Sequence, residues 1–258
     1  MMKKKSFLNQ ERPLLTCMVQ APTIERIKEL ITLSRKEGAE AFGMQFSSLV
    51  PQSRNPESFR DLFSFAELPV YVTNYRNRGN QGKSDETLAE ELLEMADCGA
   101  TLCDVMGDYF DPCVGELTRN ETAIQKQMKL IDELHNRGAE VLMSSHVHQV
   151  MTAEQVLEIA LEHERRGADI CKIVAKATTM EEQIENLRIL CLLKENMKTP
   201  FLFLSGGVCH LARRLGGTLG NCVTLCVYEY DEHATKAQPL LRDMKNIRDY
   251  MEEPKDEI

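Results

Sequence analysis

Lys172 is the residue of this sequence best suited to covalent chemistry. It lies within the apolar run DICKIV at 169–174, where a lysine is seldom placed without a functional reason. Burial in such a run disfavours the ammonium form, lowers the pKa and leaves a neutral amine that can attack a ketone or an aldehyde. Lys172 is therefore predicted to form a Schiff base, and a structural ion pair with Asp104 is the alternative. Lys176, four residues further on, is expected to be solvated.

Two histidines, His146 and His148, follow the apolar run that precedes the one holding Lys172. If the two runs are neighbouring strands, the ring of His146 faces Lys172 and can move the protons that imine chemistry requires. A loop histidine held by hydrogen bonds is the alternative. His148 points the same way if the strand pleat persists, and it could take the place of His146. Two histidines at this spacing could also bind a metal, but no carboxylate or cysteine stands beside them, so no metal is expected.

The overall charge of the chain indicates which kinds of partner are unfavourable. The formal net charge is −9 and no basic stripe is present, which argues against a nucleic-acid partner. The same field repels anions, so an anionic substrate needs a local cationic pocket. Arg76 and the pair Arg213-Arg214 each follow an apolar run, the pair soon after a Gly-Gly step at 206–207. A guanidinium group and free backbone N–H groups suit a carboxylate.

The cysteines and the N-terminal residues indicate a cytoplasmic protein. The nine cysteines are an odd number, are scattered, and include no CxxC pair, so reduced thiols packed as small hydrophobic groups are expected. Residues 1–12 lack the apolar run of a signal peptide. No stretch approaches the roughly 18 apolar residues that a membrane span requires.

A repeated pattern positions these candidate residues. Gly-Ala pairs beginning at residues 38, 99, 138 and 167 each end a helical pattern shortly before an apolar run. A glycine there suits a helix C-cap, and a helix that is followed by a glycine and a buried strand is typical of a parallel sheet. The alternative, a doubly wound open sheet, would need a glycine-rich phosphate turn after its first strand, and residues 17–22 read CMVQAP.

The pattern predicts one (β/α)8 TIM barrel over residues 1–258, with an N-terminal extension at 1–12 and a C-terminal tail at 252–258. A chain of this length is typical of a single barrel. The predicted strands are Leu14–Val19, Ala41–Phe46, Pro69–Thr73, Thr101–Val105, Glu140–Ser144, Ile170–Val174, Pro200–Leu204 and Cys222–Val227. The predicted helices are Thr23–Glu37, Pro56–Ala66, Ser84–Cys98, Asn120–Arg137, Thr152–Arg166, Thr179–Asn196, Cys209–Leu215 and Gln238–Met251. Chemistry in a barrel lies at the C-terminal strand ends, where the candidate residues fall.

In strand order, from about residue 14 to residue 251, these residues resemble the type I 3-dehydroquinate dehydratases of the shikimate pathway. That family has its catalytic histidine in a Met-Ser-x-His stretch that closes strand five, and residues 143–146 read MSSH. Its Schiff-base lysine lies in a run such as Pro-Lys-Ile, and residues 171–173 read CKI. An arginine after strand three matches Arg76. A Ser-Arg-Leu element that holds the substrate carboxylate matches Arg214 best, and a glutamine before the last helix matches Gln238.

The sequence departs from this family around the substrate hydroxyls. The family's second strand ends in Glu-x-Arg, whereas residues 43–45 read GMQ. The glutamate that partners the family's histidine falls at Asn80 or Gln81, and a serine of the last loop falls near Ala234. Gln45 and Asn80 are therefore expected to contact a substrate that differs from that of the family, and restoring Glu and Arg at positions 43 and 45 is expected to raise activity on 3-dehydroquinate.

The resemblance implies a lyase, in which Lys172 forms an imine with a small carboxylated keto substrate. His146 then removes a proton and protonates the leaving hydroxyl, without cofactor or metal. The product from 3-dehydroquinate is 3-dehydroshikimate and water. Another lysine-imine lyase or aldolase is one alternative, and a non-catalytic barrel that binds a carboxylated metabolite is the other. The resemblance also suggests a homodimer.

Overall fold

The computed structural model describes residues 5–208 and 210–251, and it confirms the barrel. Eight parallel strands follow the order β7-β6-β5-β4-β3-β2-β1-β8, which excludes the doubly wound alternative. The strands are Leu14–Val19 (β1), Ala41–Gln45 (β2), Val70–Thr73 (β3), Leu102–Met106 (β4), Glu140–His146 (β5), Ile170–Ala177 (β6), Phe201–Gly207 (β7) and Val223–Cys226 (β8). The helices are Ile24–Glu37 (α1), Pro56–Ala66 (α2), Asp85–Asp97 (α3), Glu121–Asn136 (α4), Ala153–Arg165 (α5), Met180–Asn196 (α6), Leu211–Leu215 (α7) and Leu241–Met251 (α8).

The predicted helix starts rest on identifiable caps. Thr179 and Glu182 form the expected capping box at α6, in which each side chain binds the other residue's backbone N–H. Ser84 caps α3 by accepting from the Thr87 N–H, although the acid that completes a capping box is missing. Helix α1 ends at Glu37 and is capped by Gly38, whose φ of 102° lies in the left-handed region that glycine adopts without steric cost. The Gly-Ala pattern therefore reflects real helix ends.

Several predicted boundaries differ from the structure by one to three residues, and two of these differences have a clear physical reason. Strand β6 continues to Ala177, three residues beyond its predicted end, because its register with β7 is unbroken up to the pair Ala177–Gly207. Helix α8 begins at Leu241 and not at Gln238, because the Val227 backbone accepts from Leu241 and donates to Pro239. The predicted start of the short seventh helix, Cys209, and the C-terminal tail at 252–258 lie outside the described residues.

One buried asparagine closes the barrel between its last two strands. The β7 and β8 backbones meet there through an isolated bridge between Phe201 and Asn221, with no continuous ladder. The Asn221 side chain replaces the missing strand contacts, because its oxygen accepts from the Phe203 N–H at 2.8 Å and its amide donates to the Phe203 carbonyl at 3.0 Å. A side-chain amide can satisfy both backbone groups because it has a donor and an acceptor in one plane.

Part of the predicted N-terminal extension belongs to the barrel core. Phe7 is 2% exposed and packs with Leu14, Ile170 and Val223 at the amino-terminal end of the strands. Its N–H donates to Glu140 Oε2 at 2.8 Å. Phe7 therefore covers the amino-terminal end of the barrel, opposite the carboxyl-terminal strand ends at which the candidate residues lie. Across residues 5–208 and 210–251, we find no helix with the length and apolar character needed to cross a membrane.

Candidate active site at the barrel mouth

A layer of polar side chains crosses the interior of the barrel. Four neighbouring strands contribute one residue each: Tyr71 from β3, Asp104 from β4, Ser144 from β5 and Lys172 from β6. Ser144 and Lys172 are register partners, so their side chains leave the sheet at the same level. All four are buried, and Lys172 is 4% exposed. The layer lies above an apolar floor that includes Leu142.

The Lys172 amine is surrounded by oxygen atoms. Its Nζ donates to Tyr75 Oη at 2.6 Å, to Tyr71 Oη at 3.1 Å and to Asp104 Oδ2 at 3.2 Å. Asp104 Oδ2 also accepts from both phenols, and Oδ1 accepts from the Ser144 hydroxyl at 2.6 Å. The ion pair with Asp104 that the sequence left as an alternative is therefore present. The amine is buried, as the sequence predicted, but its immediate neighbours are oxygen atoms and not apolar groups.

Charge and burial set the protonation of this layer. Burial opposes ionisation of Asp104, but the Lys172 charge and three donated hydrogen bonds outweigh it, so the pKa of Asp104 is lowered. Burial and the Asp104 charge raise the pKa of both Tyr71 and Tyr75 well above the usual value. The carboxylate is therefore ionised at neutral pH and the two phenols keep their protons.

His146 ends β5 and is paired with a carboxylate that the sequence did not single out. Glu116, in the loop between β4 and α4, accepts from His146 Nδ1 at 2.7 Å and from the His146 backbone N–H at 2.8 Å. Burial opposes ionisation of Glu116, but the contacts with His146 lower its pKa overall. The partner expected at Asn80 or Gln81 is thus supplied by a different loop.

Buried side chains hold the Glu116 loop in place. Arg166, 1% exposed, donates to the carbonyls of Gly107 and Thr118 at either end of the loop. Ser145 Oγ donates to the Glu116 carbonyl at 2.7 Å and contacts His163 Nε2 at 2.9 Å. These bonds fix the loop backbone on which the Glu116 carboxylate depends.

His148 is less well placed than His146. Its φ is 53° and β5 ends at His146, so the pleat does not persist, and His148 is exposed. The two rings stack with centroids 5.8 Å apart. Partial desolvation of the ring and the charge of His146 lower the pKa of His148. Within the described part of the chain, no group of three or more His, Cys, Asp or Glu could hold a metal.

A cavity of about 390 Å³ opens above this layer, and His146 and Tyr75 face it. The Tyr75 ring meets the His146 ring edge-on, with centroids 5.1 Å apart. Other lining residues are Gln45, Arg76, Asn77, Arg78, Met106, Glu116, His148 and Thr235. Lys172 lies below them, and Tyr75 touches both the amine and the cavity.

Arg76 lines the cavity, but two carboxylates occupy its guanidinium. It donates to both oxygens of Asp85, at 2.7 and 2.8 Å, and to Asp108 Oδ1 and the Asp108 carbonyl, at 2.8 and 2.9 Å. Four of the five N–H donors of an arginine are thereby used. Burial alone would lower the pKa of Arg76, but these two acids raise it overall. Most of the Arg76 guanidinium is therefore engaged by internal partners, and the substrate contact expected of it stays a prediction.

The neighbouring arginines Arg213 and Arg214 differ in their contacts with the rest of the barrel. Arg213 donates to the Ser205 carbonyl at 2.6 Å and to Gln238 Oε1 at 3.3 Å, whereas Arg214 is exposed. Burial lowers the pKa of Arg213 to about 10. Among the described residues, no carboxylate lies within ion-pair distance of Arg213. Both arginines and Gln238 line a second cavity of about 730 Å³ beside the mouth.

The two amides expected to contact substrate have different positions. Gln45 lines the mouth cavity, where its side chain binds Gln20 and Ser47. Asn80 is 1% exposed and is bonded to Asn74, the Tyr75 carbonyl and Arg54, so it has a structural position inside its loop.

The space beside Gly43 is already filled. A Cβ at this position would overlap Met18 Sδ and lie 3.2 Å from the Tyr71 ring. The expected gain from glutamate at position 43 is therefore opposed by packing, because Met18 must move before a longer side chain fits.

The chain belongs to a known enzyme family. A sequence model of the Type I 3-dehydroquinase family matches residues 15–255. A 3-dehydroquinate dehydratase of Clostridium kluyveri is 29% identical over 99 residues, which are 37% of this chain and 39% of that protein. The aligned stretch is thus less than two thirds of that relative. The match to the family model shows that the chain is a member of the type I 3-dehydroquinase family.

Solved structures show the same fold. Structures of 3-dehydroquinate dehydratases from Geobacillus kaustophilus and Clostridium difficile have TM-scores of 0.78 and 0.79. They cover 96% and 97% of this chain, and 95% and 98% of their own chains, at 15% and 14% identity. The fold is therefore kept although most side chains differ.

The buried His163 predicts a loss of stability in mild acid. Burial and the nearby Arg166 charge lower the pKa of His163 to about 3, against about 6.5 in an unfolded chain. The unfolded state therefore binds a proton that the folded state does not bind as the pH falls below 6.5. Between pH 6.5 and pH 5 the free energy of unfolding should decrease by about 2 kcal/mol from this group.

Urea unfolding at pH 7 and pH 5 tests this expectation. His163→Gln removes the titration, so its loss between the two pH values should be about 2 kcal/mol smaller than that of the wild type. His233→Gln, in a partly exposed loop, is the control and should keep the wild-type pH dependence. An equal loss in wild type and His163→Gln would contradict the assignment.

Proposed function

We propose that this barrel dehydrates 3-dehydroquinate or a close carboxylated analogue through a Schiff base on Lys172. The observation that carries the proposal is the juxtaposition of a buried lysine and a carboxylate-paired histidine on neighbouring strands, joined at the mouth by Tyr75. The C. difficile relative was solved with covalently modified comenic acid, which is consistent with covalent chemistry in this family. A product of this reaction, 3-dehydroshikimate, would place the protein in the shikimate pathway.

His146 supplies the proton transfer in this proposal. The ionised Glu116 can only accept hydrogen bonds, so His146 Nδ1 carries its hydrogen and Nε2 is left as the acceptor. The protonated imine on Lys172 acidifies the adjacent carbon, and Nε2 removes a proton from it. The resulting imidazolium is stabilised by Glu116 and then protonates the departing hydroxyl. Water leaves, and hydrolysis of the imine returns the free amine.

Arg213 is proposed to hold the substrate carboxylate. Its guanidinium is largely buried, and the contacts described for it are two neutral oxygens. A bound carboxylate supplies the missing negative charge, with Gln238 orienting the guanidinium. Gln45 offers neutral hydrogen bonds to the substrate hydroxyls. The homodimer expected from the resemblance stays a prediction.

Lys172 should be the position of the covalent adduct. Wild-type protein incubated with 3-dehydroquinate and borohydride should gain the reduced substrate mass on the peptide that contains Lys172. Turnover should appear as the ultraviolet absorbance of the conjugated enone product. Lys172→Met should lose both signals, because no other described amine is held in the polar layer.

Lys176→Met is the matched control for this experiment. Lys176 lies on the same strand but is exposed, so its loss should leave the adduct and the turnover intact. An adduct that persists in Lys172→Met would overturn the assignment. Binding of substrate by the wild type without any adduct would favour the non-catalytic alternative.

The roles of His146 and Glu116 should be distinguishable by the kinetics of their variants. His146→Ala should still be trapped by borohydride, while turnover falls by about 10² to 10⁴-fold, the usual effect of losing a general acid–base group. Glu116→Gln removes the charge that stabilises the imidazolium, so the acid limb of its pH–rate profile should move to lower pH. His148→Ala is the control, with near-normal turnover expected. Near-normal turnover in His146→Ala, with loss in His148→Ala, would reverse the assignment.

The absence of charged side chains at positions 43 and 45 should lower kcat/KM on 3-dehydroquinate. Each charge-assisted hydrogen bond contributes about 1.5–3 kcal/mol, so replacing charged residues with Gln45 and Gly43 should cost several orders of magnitude in kcat/KM. We expect a value on 3-dehydroquinate below the usual enzyme range of roughly 10⁴–10⁸ M⁻¹s⁻¹, and a higher value on a keto acid with fewer hydroxyls. Steady-state kinetics on both substrates measures this, and a value within that range on 3-dehydroquinate would refute altered specificity.

A further inference from the structure

Tyr75 holds a position that the proposed dehydration leaves unused. Its phenol oxygen lies 2.6 Å from Lys172 Nζ and donates to Asp104, while its ring lines the mouth cavity beside His146. Tyr71 makes the same two polar contacts but is 1% exposed and does not line the cavity. Tyr75, in the loop after β3, is therefore the tyrosine in contact with the Lys172–Asp104 pair that a bound substrate can reach.

The contacts of Lys172 raise a chemical problem that Tyr75 can solve. An ammonium group has three N–H donors, and three oxygen atoms lie within hydrogen-bond distance of this one. The nitrogen has no free electron pair until one proton leaves. His146 is occupied on Nδ1 by Glu116, and within the described residues it has no hydrogen bond to Lys172. The oxygens that contact the amine offer a direct proton route, because Tyr75 accepts from Lys172 and donates to Asp104.

We propose that Tyr75 is a catalytic residue that relays protons between Lys172, Asp104 and the substrate oxygen during imine formation. This inference rests on the proposed Schiff-base function and adds a residue to it. The phenol can serve as a relay because its oxygen accepts from Lys172 while its own hydrogen points to Asp104. A hydrogen bond on each side allows one proton to arrive as another leaves.

In the first step, a Lys172 proton moves to the Tyr75 oxygen as the phenol proton moves to Asp104 Oδ2. The amine is now neutral, the phenol is unchanged and the carboxyl group is protonated. The nitrogen electron pair attacks the carbonyl carbon of the ketone and forms the C–N bond. The carbonyl π pair moves to oxygen. A second nitrogen proton then reaches that oxygen through Tyr75 and gives a neutral carbinolamine.

In the second step, the proton stored on Asp104 returns through Tyr75 to the carbinolamine hydroxyl. The C–O bond breaks, water leaves, and the nitrogen electron pair forms the C=N bond. The products are a protonated imine with one N–H, one water molecule and an ionised Asp104. Two of the three ammonium protons leave in the water molecule and the third stays on the imine nitrogen. No proton exchange with solvent is needed.

The experiment measures imine formation apart from elimination. Rapid mixing with 3-dehydroquinate, followed by a borohydride quench and mass spectrometry, gives the rate of adduct formation on Lys172. Tyr75→Phe keeps the ring and removes the relay oxygen, so this rate should fall by about 10² to 10⁴-fold. Tyr71→Phe is the matched control, and the loss of its hydrogen bonds should lower the rate by at most about tenfold. Lys176→Met, which is exposed on the same strand as Lys172, is a second control and should form the adduct at the wild-type rate.

A second measurement tests the relay even if the Tyr75→Phe protein folds poorly. Reversible imine formation exchanges the ketone oxygen with ¹⁸O-labelled water, and His146→Ala should show this exchange without turnover. Adding Tyr75→Phe or Tyr75→Met to that variant should slow the exchange by the same factor. If neither the adduct rate nor the exchange rate changes when the Tyr75 hydroxyl is removed, the relay is wrong and the Schiff-base function stands. A wild type that forms no adduct would overturn the Schiff-base function and the relay together.

Discussion

The ion pair between Asp104 and Lys172 inside the barrel determines much of what surrounds it. Removing two opposite charges from water costs several kcal/mol for each ion, and their mutual attraction offsets this only when the remaining donors and acceptors are satisfied. Ser144 and the two tyrosines complete that set, because each donates to the carboxylate. Apolar side chains below the pair exclude water from one side of it. The cavity above leaves the other side open to substrate.

The loop that contains Glu116 depends on a second buried charge. Arg166 lies on the carboxyl-terminal side of α5, and its guanidinium reaches between the helices to the carbonyls at both ends of that loop. Its charge is balanced by Glu162 at 2.7 Å. The same charge disfavours protonation of His163, which is why this histidine can accept or donate as a neutral ring beside Ser145. The loop is therefore held by contacts that lie outside the cavity.

The sequence predicted the barrel and its central residues because strands leave a periodic signal. Lys172 and His146 were identified from their places in or after apolar runs, and the strand register brings those runs together. Glu116 was missed because it lies in the irregular segment between β4 and α4, where no periodicity relates a side chain to the mouth. Its nearest signal is the preceding Gly115, which permits the turn (φ of 87°) that precedes Glu116.

The choice between Arg213 and Arg214 shows another limit of sequence reasoning. Successive helical residues point about 100° apart, so a motif displaced by one position selects a side chain on a different face. Arg213 contacts the Ser205 carbonyl, which is the basis for proposing it in place of Arg214, and no local pattern contains that information. Asn80 was misplaced for a related reason, since its loop folds inward onto Arg54.

The crowding at Gly43 has a consequence for how such a mouth can change during evolution. Met18 on β1 and Tyr71 on β3 occupy the volume that a side chain at position 43 would fill. A substitution there requires the flexible end of Met18 to turn away, and any displacement of Tyr71 disturbs its hydrogen bond to Asp104. Changes at these positions are therefore epistatic. The effect of a side chain at position 43 therefore depends on which residue occupies position 18.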